Sequence, residues 1–392
     1  MLGHLDPIFD RTVTGWAVDP DQSGSPCQVT LLVDEVVQCA IAAQGYRADL
    51  LRYGDGKHSF HWRIPDHLAD GAQHSLVARF SDGTELIGSP QRFELLKADE
   101  IEAFSVPEEL HKRHPYHVTI GAIVRDEAPY MLEWLAYHRV LGVDRFVIYD
   151  NESSDGTSEL LATLARQGLL SHCPYPDSLA GAAPIQPAAY QDLVAKFGES
   201  TDWLIFLDPD EFIVPRKDDS VPALLQRFAD APALSVYWRL FGSGGLLNQG
   251  DALVMERFLR CSEQAATVNL LVKTFFRPCY LQATRVHLPF LKEGRVLDEQ
   301  RRVLDPHQGG CGLHPSHQLA AINHYFTKSR EEWARKRARG RVDLPFTEQR
   351  EIRSESDFAL HDRNETEDRR ILDFLQATKA EMRELEKLIG AS

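Results

Sequence analysis

Cysteine is sparse: six occur in 392 residues, and none forms a Cys-x-x-Cys pair. Cys27, Cys39, Cys173, Cys261, Cys279 and Cys311 are too scattered for a zinc ribbon, a redox motif or a disulfide framework, so reduced thiols are expected. Long apolar runs are missing too. None approaches the roughly 18 residues of a membrane span. The opening MLGHLDPIFDRTV has no basic segment leading into an apolar one. The expectation is a chain with no integral membrane span and no secretory signal, located in the cytoplasm or peripherally at the inner membrane. Positive charge is short as well: 43 Lys and Arg against 58 Asp and Glu leave a net charge of -15. So acidic a chain lacks the basic face of a nucleic-acid binder. Its 43% hydrophobic and 26% charged residues exclude a disordered, collagenous or coiled-coil protein.

What is present divides into unlike parts. Over residues 1–97, short apolar runs (TVTGWAV, CQVTLLVD, HSFHWRI, HSLVARF, QRFELL) alternate with Gly, Asp and Pro turns, the pattern of a small antiparallel β-sandwich. In HSLVARF, His74, Leu76, Ala78 and Phe80 share one face of a strand. Residues 98–116 are charged and read as a linker. From 117 to about 345 the pattern becomes strand, loop, helix. VTIGAIV (118–124), RFVIY (145–149), WLIFL (203–207) and LSVYW (234–238) are buried strands, and helices begin near Pro129 and after Ser153-Ser154-Asp155. Continuous apolar strands alternating with helices indicate an α/β, mostly parallel sheet whose ligands collect at the carboxyl ends of its strands. Residues 346–392 form a helical extension. There Ile371, Leu375, Thr378, Met382, Leu385 and Ile389 step as a short heptad seam, packed on its own domain or on a second copy in a homodimer.

Acidic residues stand at three of those strand ends. Asp208-Pro209-Asp210 follows WLIFL, and two carboxylates at i and i+2 can hold one Mg²⁺ or Mn²⁺ that bridges to a diphosphate. A turn that merely caps the next element is the bland alternative. Arg125, Asp126 and Glu127 follow the first strand; Asp150, Asn151, Ser153 and Asp155 follow the second. Such groups can hydrogen-bond a nucleobase or ribose, or cap the next helices.

Five ordered blocks extend this pattern: IVRDEAPYMLEWLAYHRVLGVDRFVIYDNESSDGT, WLIFLDPDEFIVP, WRLFGSGG, VKTFFRP and INHYFTKSREEWARKRARG. Together, from about Val118 to Arg341, they resemble a GT-A glycosyltransferase, in particular the bacterial branch of the family-2-like enzymes related to glycosyltransferase family 92. The resemblance implies a Rossmann-like GT-A catalytic domain after the β-sandwich. It implies a metal-dependent transferase, usually inverting, that moves a sugar from a nucleotide-sugar donor, UDP-galactose favoured, to a glycan or lipid-linked acceptor.

Carried onto this sequence, Asp208 and Asp210 hold Mn²⁺ or Mg²⁺, with His287 or His324 as a further ligand. Arg125, Glu127, Asp150, Asn151 and Asp155 bind the donor. The Phe241–Gly245 loop, with Gly244, faces the acceptor. Asp251 and Glu256, Glu256 preferred, are candidates for the base that deprotonates the acceptor hydroxyl. Lys273 and Lys328 are candidates for the diphosphate. The run from Lys328 to Arg341, with seven basic residues and two acids, is either a solvated face or an anion clamp in which Arg335 and Arg339 line up while Lys336 leans aside. The N-terminal unit resembles sandwich modules of carbohydrate-active enzymes, with Trp16, Tyr46, Tyr53 and Trp62 as aromatic platforms or core. Two rival readings differ in class: a phosphohydrolase with Asp208 as nucleophile, and a non-catalytic glycan-binding protein.

Overall fold

The computed structural model describes residues 1–6, 8, 12–20, 25–46, 50, 53, 57–95, 106–108, 114–179, 184–306, 310–312, 315–339 and 354–390. Most of the expected linker, and the basic run beyond Arg339, lie outside them. The chain divides into Met1–Phe104 and Ser105–Ser392.

The first unit contains β1 (Leu2–Leu5), β2 (Thr12–Val18), β3 (Cys27–Val33), β4 (Val36–Ala43), β5 (Gly45–Tyr46), β6 (Lys57–Arg63), β7 (Gln73–Phe80) and β8 (Gln91–Glu94). They form two antiparallel four-stranded sheets, ordered β1-β2-β6-β5 and β4-β3-β7-β8. One face of each strand closes a common core of Leu5, Val13, Val29, Leu31, Phe60, Leu76 and Phe80. His74 does face inward with Leu76, Ala78 and Phe80. Its ring is satisfied there by Asp34 at 2.6 Å and Asp70 at 3.0 Å, since a buried polar ring must keep hydrogen-bond partners. Trp16 stacks on Tyr53 at 5.3 Å, and Trp62 packs against the core; the Tyr46 side chain is outside the described residues.

The second unit begins with β9 (Tyr116–Val124), α1 (Ala128–Val140), β10 (Arg145–Asp150), α2 (Thr157–Arg166), β11 (Ser171–Pro174), α3 (Ile185–Phe197) and β12 (Thr201–Phe206). It continues through β13 (Glu211–Pro215), α4 (Val221–Gln226), β14 (Ala233–Leu240), α5 (Val254–Arg257), β15 (Arg260–Cys261) and β16 (Val272–Phe276). The short strands β17 (Leu281–Ala283), β18 (Phe290–Leu291), β19 (Val296–Asp298) and β20 (Val303–Leu304) precede β21 (Ala320–His324). Helix α6 (Arg330–Ala338), α7 (Glu355–His361), β22 (Thr366–Glu367) and α8 (Leu375–Gly390) complete it.

Strands β11-β10-β9-β12 are parallel. Beyond them β16 enters antiparallel to both β12 and β14, and β21 joins β14 in parallel while pairing antiparallel with β13. The sheet is therefore mixed rather than mostly parallel. The apolar run VKTFF reads the same in either direction, because a strand buried on both faces carries no signal of polarity. With the all-β unit before it, the α/β architecture is otherwise the one expected.

The helical extension departs from expectation in one respect. Its described residues are not one continuous helix: α7, the strand β22 and a 3-10 turn over Arg370–Phe374 precede the last helix, which starts at Leu375. Its seam faces the chain's own core: Ile371 and Leu385 are buried there, Leu375, Met382 and Ile389 lean on it, and Arg139 of α1 bonds Glu381 at 2.6 Å. All six cysteines are free thiols.

Candidate functional site

The carboxyl ends of β9, β10 and β12 lie side by side because those strands are neighbours in register. After β9, Arg125 Nε donates to the Asn151 carbonyl at 2.8 Å and Nη2 donates to Asp177 at 3.1 Å. Asn151 Nδ2 donates to Asp177 and to the Tyr175 carbonyl. Glu127 and Asn151 are both buried, and each leaves an acceptor, Oε2 and Oδ1, with no partner among the described residues. Unpaired buried acceptors call for an explanation, and a bound ligand supplies one.

The other acids at this end have structural work. Asp155 receives Thr157 N at 3.0 Å and Ala128 N at 3.0 Å, so it stitches the starts of α2 and α1. Asp150 is buried; it accepts from Ser153 N and the Ser158 hydroxyl, with His172 3.4 Å away. Burial raises its pKa, but these hydrogen bonds outweigh that and keep it below the usual value. His172 was not marked by any sequence motif.

Past β12 the chain turns through Asp208-Pro209-Asp210-Glu211. Glu211 closes the turn: its Oε2 accepts Asp208 N at 2.8 Å, and its own N donates to the Asp208 carbonyl at 2.9 Å. Lys273 of β16, completely buried, reaches Asp208 Oδ2 at 3.0 Å and Glu211 Oε2 at 3.2 Å. Desolvation lifts Glu211 to about 8, the Lys273 ammonium opposing it. Asp208 Oδ1 accepts from Gln186 at 3.2 Å. The sequence reading marked the two aspartates and passed over Glu211, although Asp-x-Asp-Glu after an apolar strand holds it in plain view.

Asp210 is built differently. Its Oδ1 lies 3.6 Å from His324 Nε2, and its Oδ2 meets Lys336 Nζ at 2.5 Å. His324 sits opposite Glu211 in the β13–β21 register. Burial lowers the His324 pKa against the pull of Asp210, which keeps the imidazole neutral and able to ligate a metal. His287 shares a ring neighbour with His324. Its Nδ1 donates to the Val272 carbonyl at 2.8 Å, and the Trp238 ring packs against both histidines, 4.2 Å from His324 and 5.4 Å from His287.

Among the described residues no three His, Cys, Asp or Glu side chains surround a common metal position. The donor set of Asp210 and His324 still fits Mg²⁺ or Mn²⁺. Such ions bind through one or two protein groups and leave their other positions to substrate phosphates and water.

Helix α6 crosses this edge. Ser329 caps it with Glu332 returning to the Ser329 N–H, a capping box. Its inward row is Glu332, Lys336 and Arg339, spaced i, i+4, i+7. Lys336 therefore leans into the site rather than aside. Arg339 donates to the Arg125 and Asp126 carbonyls at 2.8 Å and pairs with Glu127. Arg335 points out to Gln249. Lys328, buried at φ +50°, lies 3.9 Å above the Tyr130 ring.

On the expected acceptor side, Gly244 and Gly245 take positive φ at an exposed turn, and Gly244 N donates to Asn364 Oδ1 at 2.8 Å. Gly242 is required for another reason: a Cβ there would stand 2.4 Å from the Arg363 carbonyl oxygen. Asp251 is exposed. Both oxygens of Glu256 are engaged, one by Lys379 at 2.7 Å and one by Leu253 N at 3.2 Å.

A mixed α/β sheet whose carboxyl edge carries buried acceptors, a carboxylate–imidazole pair and buried ammonium groups defines a class of domains that bind ligands at that edge. More narrowly, the chain belongs to glycosyltransferase family 92, whose model matches residues 114–339. A family 92 protein of Ricinus communis is 27% identical over 233 residues, 56% of this chain and 38% of that protein. One of Oryza sativa subsp. japonica is 28% identical over 126 residues, 31% of this chain and 20% of that protein. The matches thus span only a minor part of these relatives' length. The relatives are plant proteins, so the expected bacterial branch finds no support. Among solved structures, TarS of S. aureus in complex with UDP is similar at 13% identity, covering 42% of this chain and 47% of that one. Its TM-score of 0.27 is too low to carry an argument. No helix among the described residues is long and apolar enough to cross a membrane.

Proposed function

We propose that the second unit transfers a hexose from a UDP-sugar, UDP-galactose favoured, to a hydroxyl of a glycan or lipid-linked acceptor, with inversion. The observation that carries this reading is the convergence at one sheet edge of the unpaired Glu127 and Asn151 acceptors with the Asp210–His324 pair. A nucleoside offers N–H and O–H donors to the first pair. Asp210 and His324 would hold Mn²⁺ or Mg²⁺, which when bound would supply positive charge to offset that of the departing nucleoside diphosphate.

The chain's own groups do the rest. Arg125 fixes the Asn151 backbone, and Arg339 ties Glu127 to α6, so the nucleoside end is rigid before a donor arrives. In an inverting transfer the acceptor oxygen bonds the anomeric carbon as the bond to the diphosphate oxygen breaks, and a carboxylate takes the hydroxyl proton. Asp251 is the better candidate for that base, because Lys379 and Leu253 N already engage Glu256.

A thermal-shift panel of nucleotide sugars with and without Mn²⁺ tests the reading, since a ligand that binds only the folded state raises its melting temperature. Stabilisation by UDP-sugars that needs Mn²⁺, and that Asp210→Ala abolishes, is expected. Indifference of the wild type to every nucleotide sugar at saturating Mn²⁺ would refute it.

A further inference from the structure

Lys273 occupies an unusual place for a cation near a nucleotide site. It lies on β16, opposite Val236 of β14, and is completely buried, whereas the side chain of its partner Asp208 is 30% exposed. An ammonium so enclosed does not reach a diphosphate; it reaches the groups that face one. Its contacts are Asp208 Oδ2 at 3.0 Å and Glu211 Oε2 at 3.2 Å. The same Glu211 oxygen receives Asp208 N at 2.8 Å. From the other side Gln186, itself held by the Tyr190 hydroxyl at 2.9 Å, donates to Asp208 Oδ1. Both oxygens of Asp208, and the turn that carries it, are thereby fixed from beneath by β16 and α3. Asp210 takes no part in this lattice: its partners are His324 and Lys336.

We propose that Lys273 is a positioning residue that acts on the donor only through Asp208, whose carboxylate it aims at the donor's ribose or sugar hydroxyls. This rests on the donor reading above and divides the acidic pair, Asp210 serving the cation and Asp208 the sugar-nucleotide. A buried charge left without its partner is costly, so the aim of Asp208 depends on the ammonium remaining in place.

The test is a double-mutant cycle on the full chain, with calorimetric binding of UDP-galactose at fixed Mn²⁺ and a separate Mn²⁺ titration by electron paramagnetic resonance without nucleotide. Lys273→Met and Asp208→Asn should each weaken UDP-galactose binding about tenfold or more, and the double variant should be no weaker than the poorer single. Mn²⁺ binding alone should stay within about threefold of wild type in all of them. If Lys273→Met loses its cooperative thermal transition, Lys273→Met/Glu211→Gln, which removes both members of the buried pair, takes its place in the cycle with the same expectations. Additive losses would mean that Lys273 touches the donor directly and would overturn the proposal, as would an unchanged affinity in a well-folded Lys273 variant or a parallel loss of Mn²⁺ binding. A wild type that binds Mn²⁺ but no UDP-galactose sinks the donor reading first, and this proposal with it.

Discussion

Lys336 and Asp210 form a buried ion pair across the acidic edge of the sheet, Nζ lying 2.5 Å from Oδ2. The same ammonium donates to the Phe326 carbonyl at 2.9 Å and lies 4.2 Å over the Phe326 ring, so its position is fixed by three partners. Burial alone would raise the Asp210 pKa. Lys336 and His324 overcome that and hold it well below the carboxylate range. The carboxylate is thus ionised and preorganised, and one of its oxygens already faces a cation of the chain's own.

Lys336→Met should therefore strengthen Mn²⁺ binding in the absence of nucleotide by about tenfold, because a positive charge a few ångströms from the metal position is removed. Donor binding at saturating Mn²⁺ should weaken, since the diphosphate loses a nearby cation. Spin-resonance titration measures the first and calorimetry the second. Equal weakening of both would show that Lys336 acts only as a structural prop.

The buried pair Arg257–Glu332 links α5 to α6 and predicts acid sensitivity. Glu332 accepts both Arg257 nitrogens at 2.8 and 2.9 Å, Ser329 Oγ at 2.6 Å and the Tyr130 hydroxyl at 3.0 Å. Desolvation raises its pKa, but Arg257 and Ser329 prevail and hold it at about 2, down from the ordinary 4.5. A depressed carboxylate contributes its stability in full above pH 4.5 and loses it as the pH falls toward 2. Glu332→Gln should cost roughly 3 to 5 kcal/mol at neutral pH, leaving Arg257 buried and unpaired, and should flatten the acid limb of a urea-midpoint profile.

Glu133 has the opposite sign. It is buried in α1 and accepts Val254 N at 2.8 Å and Met255 N at 2.9 Å, holding the start of α5. Desolvation outweighs these bonds and pushes its pKa up to about 7 from 4.5. The folded state then binds the extra proton, so stability falls as the pH rises from 4.5 through 7 and levels off above. Over that window Glu133→Gln should gain about 3 kcal/mol relative to wild type. A difference between the two that stays constant with pH would contradict this.

The legibility of the site followed its chemistry. VTIGAIV, RFVIY and WLIFL announce buried strands, and the acids after each fall where such strands end, so the edge and the pair Asp208/Asp210 could be read directly. The cations could not. Lys273 stands inside an apolar strand and Lys336 in a basic run, and nothing local tells a buried ammonium from a solvated one. Lys336 turns inward because α6 is oriented by Glu332 and Trp333, which are set by Arg257 and Phe358 from distant segments. The antiparallel entry of β16 was equally hidden, and it is what brings Lys273 beneath Asp208.

Two histidines were left undivided by sequence, and geometry separates them. His324 Nε2 faces Asp210 Oδ1 at 3.6 Å, a spacing two ligands of one cation can share, and its Nδ1 is buried without a partner among the described residues. His287 packs on the same Trp238 ring with Nδ1 given to the Val272 carbonyl, and burial, aided by the Lys273 charge, lowers its pKa to about 4. His287 is thus neutral at working pH, as His324 is, and what separates them is that only His324 faces Asp210. Loss of one of two protein ligands should weaken Mn²⁺ by at least about tenfold, so His324→Ala and Asp210→Ala should fall together in a spin-resonance titration. His287→Ala should stay within about threefold of wild type and alter donor-sugar preference instead, because it removes a ring that Trp238 packs against. The reverse ranking would put the cation at His287 and would require a pair of residues other than Asp210 and His324 to hold it.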